Sequence, residues 1–499
     1  MRTTLLGAET AGKAVAFYAR TGHWNTNEHN RLLAAYRRQL HAAVSPRIRA
    51  KDWDGGKNRS SPMTGAALTQ ILEPLVGNAQ GLIVSLSHDD YGRNYGGVQN
   101  VIRDEQQVFG RAKWLYLHVS PASPLPMLSD PKPANEFRVS LRFDGNVIGV
   151  AMIGDLVGSL ETLRRSIFMQ PIVHHLMGLA PELVLEVIRA TGNDSPIAWA
   201  HDFFSACPSY VLMRNDVAFC GAPPLGSAAC AICCYGEERP LHAARIRRFF
   251  EAADCIVAAP SQAALERWRR FDLPHREAVV LPLARLLSVP PTGNPPSRDD
   301  SRPLRVAHLG AREFRKGWSI FEELALRHAG DARYEFLQLG TPDGPSMPRN
   351  IRNVSVRVDA ARRNAMIEAI AEAQIDVAVI WSLWPETFCF TAQEALAAGA
   401  FIITNPGAGN VWPAIAANAP EQGCIVNDVE QLFAMFRGED LRARAHAAPR
   451  RRGTLLIEGG TADWFLRRHA TESEAAPTTA VASPSMDGLP IQDESVAYG

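Results

Sequence analysis

Two blocks of alternating strands and helices, divided by a proline-rich run, constrain this chain more than any other feature. The dividing run is Ser288 to Pro303 (SVPPTGNPPSRDDSRP), rich in Pro, Ser, Gly and charge and free of hydrophobic periodicity. Such a composition marks a linker. Before it, short apolar runs predict strands at Gly81–Ser87, Trp114–Val119, Pro196–His201, Cys255–Ala259 and Ala278–Leu283. Phe137–Phe143 and Val147–Ile153 predict a hairpin that turns at Asp144-Gly145. Helices are predicted over Val98–Phe109 and over Pro181–Ala190, where Pro suits the first helical position. After the linker, strands at Leu304–Leu309, Tyr334–Leu339, Val354–Val358, Ile375–Ile380 and Phe401–Thr404 alternate with helices. Those helices span Trp318–His328, Ala361–Ala373, Thr391–Ala398 and Val426–Phe436. Short, wholly apolar strands fit a sheet buried on both faces. Their alternation with helices implies parallel strands and right-handed crossovers. A chain of 499 residues also exceeds what one core holds. The predicted class is α/β, with two Rossmann-like, doubly wound domains facing a central cleft.

The expected divisions follow. Residues 1–78 form an N-terminal extension, partly helical at Asn27–Ala43 and looser in the Gly-, Asn- and Ser-rich stretch Asp54–Gly65. Residues 79–287 form the first domain, with a Cys-rich insertion at 207–234. Residues 288–303 are the linker, 304–440 the second domain, and 441–470 a helical segment. The Thr-, Ser-, Ala- and Pro-rich tail 471–499 lacks the apolar area to order itself. Lys plus Arg and Asp plus Glu both number 52, so a bulk nucleic-acid partner is not expected. No apolar run reaches the length of a membrane span, and Met1–Arg20 lacks a signal-peptide layout. A cytoplasmic protein is expected. Arg442, Arg444, Arg450, Arg451 and Arg452 read either as a solvated face or as a peripheral contact with an anionic membrane.

Ligands of such sheets bind beyond the carboxyl ends of the strands, so polar residues just after strands are the candidates. Gly310-Ala311-Arg312-Glu313-Phe314-Arg315-Lys316-Gly317 follows one strand and opens a helix. Free N–H groups at a helix start favour phosphate, and Lys316, Arg315 and Arg312 add positive charge. A solvated basic loop fits the same residues. Further on, Glu386 lies on a loop after a strand and Glu394 on the next helix, with seven residues between them. Carboxylates at these places can accept hydrogen bonds from the hydroxyls of a sugar and a ribose. Two surface acids at a helix entry are the plainer reading of the pair alone.

The whole stretch Ile375 to Val411 resembles the donor site of retaining glycosyltransferases of GT-B fold, glycosyltransferase family 4, of the bacterial surface-polysaccharide type. It carries the E-x7-E pair, EALAAG and FIITNPGAGN. The resemblance implies that Lys316 contacts a donor diphosphate, Glu394 the nucleotide ribose and Glu386 the transferred sugar. It implies that backbone amides at Thr387, Phe388 and Cys389 seat the sugar and phosphate, near Gly310. The chain departs from the family at Ala311, where Arg is frequent, and at Cys389, where Gly is common.

In the first half, Tyr95-Gly96-Gly97-Val98-Gln99 follows a strand and opens a helix. In the resembling enzymes such a Gly-Gly turn faces the donor phosphate; an ordinary tight turn is the alternative. His88 and Asp89 stand near the same strand end. His201 follows another strand, at the place where those enzymes put a His near the transferred sugar, and Asp202 is a candidate acceptor contact. Cys207, Cys220, Cys230 and Cys233 end in a C-x2-C spacing that suits a structural zinc; reduced, buried thiols fit as well.

The resemblance implies a hexosyl-type transferase that retains configuration and needs no cofactor for catalysis. Its donor would be a nucleotide sugar, UDP- or GDP-linked, and its acceptor a polysaccharide or lipid-linked glycan of the cell envelope. A nucleotide-sugar epimerase and a non-catalytic GT-B binder of a sugar nucleotide or a partner are the competing readings.

Overall fold

The computed structural model describes residues 57–94, 96–288, 302–342, 347–359, 361–448, 452–457 and 459–475. Tyr95, the expected helix at Asn27–Ala43, most of the linker and the tail beyond Ala475 lie outside the described residues.

The first domain is built on strands β1 (Gly81–Leu86), β2 (Trp114–Pro121), β3 (Arg138–Phe143), β4 (Asn146–Met152), β5 (Met169–Val173) and β6 (Ile197–Trp199). A small hairpin, β7 (Met213–Arg214) and β8 (Ala218–Phe219), stands apart in the Cys-rich insertion, and β9 (Ile256–Ala259) and β10 (Glu277–Val280) complete the sheet. Its order is β10-β9-β6-β5-β1-β2-β3-β4. All pairs from β10 to β2 are parallel, and the β3–β4 hairpin adds an antiparallel edge. That hairpin turns at Asp144 (φ 43°) and Gly145 (φ 84°), the two positive φ values of a tight hairpin turn. Next comes β11 (Ala284–Ser288).

The second domain holds β12 (Leu304–Leu309), β13 (Tyr334–Gly340), β14 (Ile351–Ser355), β15 (Val377–Ile380), β16 (Phe401–Thr404) and β17 (Gly423–Ile425). Their order is β14-β13-β12-β15-β16-β17, wholly parallel, which is the Rossmann arrangement. Finally β18 (Gly453–Ile457) returns to pair antiparallel with β11.

Each sheet is covered on both faces, because side chains alternate along a strand. In β1, Leu82, Val84 and Leu86 face one cluster that holds the helices Gly65–Val76, Ile153–Leu163, Pro181–Ala190 and Arg239–Ala252. Ile83 faces the other, with Phe109, Trp114, Trp199 and Phe465. In β12, Leu304 and Val306 pack with Trp318, Phe321 and Phe433, while Ala307 and Leu309 pack under the helix Phe390–Ala398. Two Rossmann-like domains with a cleft between their strand ends make a GT-B fold.

Several expectations need correction. The helix Gly65–Val76, placed in the extension, belongs to the first domain. Leu68 and Leu72 are fully buried, and its first residue is tied to the helix Ile153–Leu163, with Gly65 N donating to Asp155 Oδ1 at 2.7 Å. The segment after residue 440 is not only helical: it contains β18 between the helices Asp440–Ala447 and Thr461–Ala475. The last of these passes the expected start of the tail. It packs Phe465 against Phe109 and Trp114, and Thr461 Oγ1 accepts from Trp199 Nε1 at 2.6 Å. The C-terminal end of the described chain is thus fastened to the first domain. Arg442, from the basic cluster, donates to the carbonyls of Arg302 and Arg333. No helix among the described residues is long and apolar enough to cross a membrane.

Candidate active site

A doubly wound sheet opens a crevice where successive crossovers leave in opposite directions. In the second domain that point lies between β12 and β15. The Gly310–Gly317 motif leaves β12, and the loop to Glu386 leaves β15, so the topology itself brings both motifs to one place.

The first motif turns through a short 3-10 segment, Phe314–Lys316, into the helix Trp318–Arg327. Gly317 has φ 77°, and a Cβ there would stand 2.0 Å from the carbonyl oxygen of Trp381. Only glycine lets the two loops pass so closely. Arg315 O then accepts from Leu383 N at 2.8 Å, and Ser382 Oγ lies 3.3 Å from Arg315 O and 2.9 Å from Glu386 Oε1. Ser382, which sequence reasoning missed, therefore holds Glu386 against the first motif. The far side of Glu386 is fixed too. Its carbonyl accepts from Asn410 N at 2.8 Å, and a Cβ on Gly409 (φ 66°) would come within 2.4 Å of that oxygen.

Lys316 Nζ lies 4.0 Å from where a Cβ on Gly310 would be, and Thr391, in the first turn of the helix Phe390–Ala398, lines the same spot. The ammonium has no hydrogen-bond or ion-pair partner among the described residues. Its charge acts on Glu394 and on Cys389. Glu394 is almost wholly buried and makes no hydrogen bond among the described residues. Burial raises its carboxyl from 4.5 to about 7, against the opposing pull of Lys316 and Arg363. Burial likewise pushes the Cys389 thiol up to about 12, and the nearby Glu386 adds to this. The structure thus brings Gly310, Lys316, Glu386, Cys389 and Glu394 together at a helix N-terminus, with a cation that has no partner among the described residues acting on Glu394.

The other two cations are committed elsewhere. Arg312 is buried, donates to the carbonyl of Pro342, and lies over the Trp318 ring at 5.9 Å. Arg315 pairs with Glu313 at 2.6 Å and donates to Tyr210 of the first domain. Both therefore have protein partners in addition to the phosphate role expected from sequence.

The first domain meets this loop directly. Thr387 Oγ1 donates to the carbonyl of His201 at 2.6 Å, and Ser261 Oγ donates to the carbonyl of Thr387 at 2.6 Å. Phe388 is buried in the first domain's cluster with Ile83, Trp199 and Phe465. Thr387 and Phe388 thus join the two domains through side chains, a role their sequence did not signal. An ion pair between Arg363 and Asp104 spans the cleft near Glu394.

Facing it is the switch point of the first sheet, between β1 and β5. His88 and Asp89 follow β1, His174 and His175 follow β5, and His201 and Asp202 follow β6. Gln99 Nε2 donates to both carboxylate oxygens of Asp89, at 3.0 and 2.9 Å, and lies 3.2 Å from His88 Nε2. His175 Nε2 stands 3.0 Å from Asp202 Oδ2, and His175 Nδ1 accepts from Met177 N at 3.0 Å. Burial, then the neighbouring His175, lowers His88 to about 4. Burial also holds His201 well below its ordinary value, with His174 next in weight. These rings are neutral near pH 7. Gly96 has extended backbone, and a Cβ there would meet Gln99 Oε1 at 2.4 Å; at Gly97, the first residue of the helix Gly97–Arg111, a Cβ would meet nothing. Gly96 alone therefore leaves room for the Gln99 side chain that contacts His88 and Asp89. Sequence reading overlooked Glu105, which lies within a predicted helix, and His174 and His175, which follow the unpredicted strand β5.

Cys207, Cys220, Cys230 and Cys233 line one pocket together with Arg239, whose Nη1 lies 2.8 Å from Cys230 Sγ. Among the described residues no three or more His, Cys, Asp or Glu side chains form a group that could hold a metal ion. The arrangement therefore does not fit the tetrahedral zinc expected from the spacing: a guanidinium stands against the sulfur where an ion would bind.

No protein-family model and no curated protein matches the chain. Among solved structures it is similar to sucrose-phosphate synthase from Thermosynechococcus elongatus, with a TM-score of 0.47 and 14% identity over 79% of this chain and 98% of that one. It is similar to HepE of Anabaena in complex with UDP-glucose, with a TM-score of 0.45 and 11% identity over 78% of this chain and 99% of that one. It is also similar to an α,α-trehalose 6-phosphate synthase from Burkholderia multivorans, with a TM-score of 0.42 and 13% identity over 81% and 99%.

Proposed function

We propose that this chain is a glycosyltransferase that uses a nucleotide sugar, transferring a hexosyl unit with retention to a polysaccharide or lipid-linked glycan. The observation that carries the reading is the placement of Lys316, without a partner among the described residues, beside Gly310 and the first turn of the helix Phe390–Ala398, where its charge acts on Glu394. A nucleoside diphosphate leaving a sugar gathers negative charge, and a fixed ammonium together with helix N–H groups stabilises that charge as it develops. Glu394, dry and without a partner, accepts from vicinal ribose hydroxyls. Glu386, held by Ser382, accepts from a sugar hydroxyl on the cleft side. With the departing phosphate oxygens close to the acceptor hydroxyl, they can take its proton.

The test is thermal stabilisation of the purified protein by UDP-, GDP-, ADP-, CMP- and dTDP-sugars, repeated with Lys316→Ala and Glu394→Ala. One nucleotide family should stabilise the wild-type protein and neither variant. Release of the nucleoside diphosphate should then fall by about 10²- to 10³-fold in Lys316→Ala, as for loss of one charge-stabilising donor. No stabilisation by any nucleotide sugar would remove the reading. Stabilisation without release of diphosphate would leave a non-catalytic binder, in line with the diversion of Arg312 to Pro342.

A further inference from the structure

We propose that Glu105 and His174 are positioning residues that orient the proton on His201, leaving His201 Nδ1 as a hydrogen-bond acceptor for a hydroxyl of the bound sugar. The last clause rests on the transferase reading; the relay itself does not.

Three buried side chains from three elements form a line. Glu105 lies on the helix Gly97–Arg111, His174 directly follows β5, and His201 follows β6. His174 Nε2 is 3.2 Å from Glu105 Oε1, and His174 Nδ1 is 3.1 Å from His201 Nε2. The rings of His174 and His201 are nearly coplanar in orientation, 9° apart, and His201 stacks on Trp199 at 4.6 Å. The backbone of His201 is held through its carbonyl by Thr387 Oγ1, and its ring by the contacts with His174 and Trp199.

A nitrogen-to-nitrogen hydrogen bond holds a single proton, so the line has a direction, which we assign from its carboxylate end. Glu105 Oε1 already accepts from Tyr116 Oη at 2.8 Å, and its other lone pair faces His174. His174 Nε2 must then carry a proton and donate it. With a single ring proton, held on Nε2 by Glu105, His174 presents a bare Nδ1, and in the proposed line His201 Nε2 donates to it. A neutral His201 therefore has a bare Nδ1, and that atom has no partner among the described residues. A carboxylate thus sets the tautomer of a ring two hydrogen bonds away, as partners behind metal-bound histidines do. The exposed end accepts and cannot donate, so it selects a group that brings a proton, such as a sugar hydroxyl.

Replacing Glu105 with Gln can present an N–H to His174 Nε2 and reverse the whole line, so that His201 Nδ1 becomes a donor. Long-range 1H–15N spectra of protein labelled at histidine nitrogen, with His201 assigned by its loss in His201→Asn, report the tautomer directly. The wild-type protein should show His201 with protonated Nε2 and bare Nδ1, and Glu105→Gln should show the opposite. With whichever nucleotide sugar stabilises the protein, Glu105→Gln should lower kcat/KM by about tenfold, the worth of one hydrogen bond, while affinity for the free nucleoside diphosphate is unchanged. Protonated Nδ1 in the wild-type protein overturns the proposal, whether or not the variant folds. So does an unchanged tautomer in a folded Glu105→Gln. The expected tautomers in a protein that binds no nucleotide sugar would uphold the relay and refute the transferase reading.

Discussion

At the scale of single residues, Glu394 is the most exposed to test. A carboxyl that ordinarily titrates at 4.5 titrates at about 7 here because it is buried. Between those values the folded protein keeps a proton that the unfolded chain has lost, so raising the pH through this window destabilises the empty fold. The unfavourable contribution is complete above about pH 7. One pKa unit corresponds to about 1.4 kcal/mol, so Glu394→Gln should stabilise the empty protein by about 3 kcal/mol at pH 8 and by little at pH 4. Urea unfolding at the two pH values checks this. The same variant should bind the nucleoside diphosphate about tenfold more weakly, because an amide replaces one acceptor oxygen with a donor. Equal stabilisation at both pH values would mean that Glu394 is not a buried, unpaired acid. That Glu386 and Glu394 share one loop and one helix, and that Lys316 follows a strand and opens a helix, was legible in the spacing. Ser382, Glu105 and His174 were not, since each acts through a contact across the chain that spacing does not encode. Arg312 and Arg315 looked like phosphate ligands because charge is visible in sequence, but the carbonyl and hydroxyl that occupy them are not.

At the scale of elements, the helix Phe390–Ala398 is entered by a residue in an unusual conformation. Cys389 has φ 66°, a left-handed value that costs a non-glycine residue about 1–2 kcal/mol. Its side chain packs in the core beneath the helix. Removing the thiol loses that packing in any variant, so the informative comparison is between two small replacements. Cys389→Gly should be more stable than Cys389→Ala by about 1 kcal/mol in urea unfolding, since only glycine enters this conformation freely. Equal stability, or a more stable alanine variant, would show that the turn is not strained. The regular elements of the second domain were readable because their strands are short apolar runs with clear breaks: Leu304–Leu309 and Phe401–Thr404 match the structure end to end. Among the elements of the first domain that escaped, two show the physical reason. β5 (MQPIV) carries Pro171 inside a central strand, where proline is normally excluded. The helix Arg239–Ala252 buries Arg239, His242 and Arg245, so its inward face does not look apolar. Arg245 is held there by Glu182 at 2.6 Å and by the Ser129 carbonyl at 2.8 Å.

At the scale of the whole molecule, two switch points face each other, and the chain ties them together at several places. The loop Thr387–Phe388 docks on the first domain, and the returning strand β18 and helix Thr461–Ala475 fasten the C-terminal end beside Trp199. A ligand at Lys316 and Glu394 is therefore within reach of both domains, as transfer from a donor on one side to an acceptor on the other requires. The measurement that bears most directly on this account is amide hydrogen exchange along the whole chain, with and without a saturating amount of the nucleoside diphosphate that stabilises the protein. The account predicts slowed exchange in residues 310–318 and 386–399, with a smaller effect at 201–204. Protection confined to other segments, with these unchanged, would place the ligand elsewhere and contradict it.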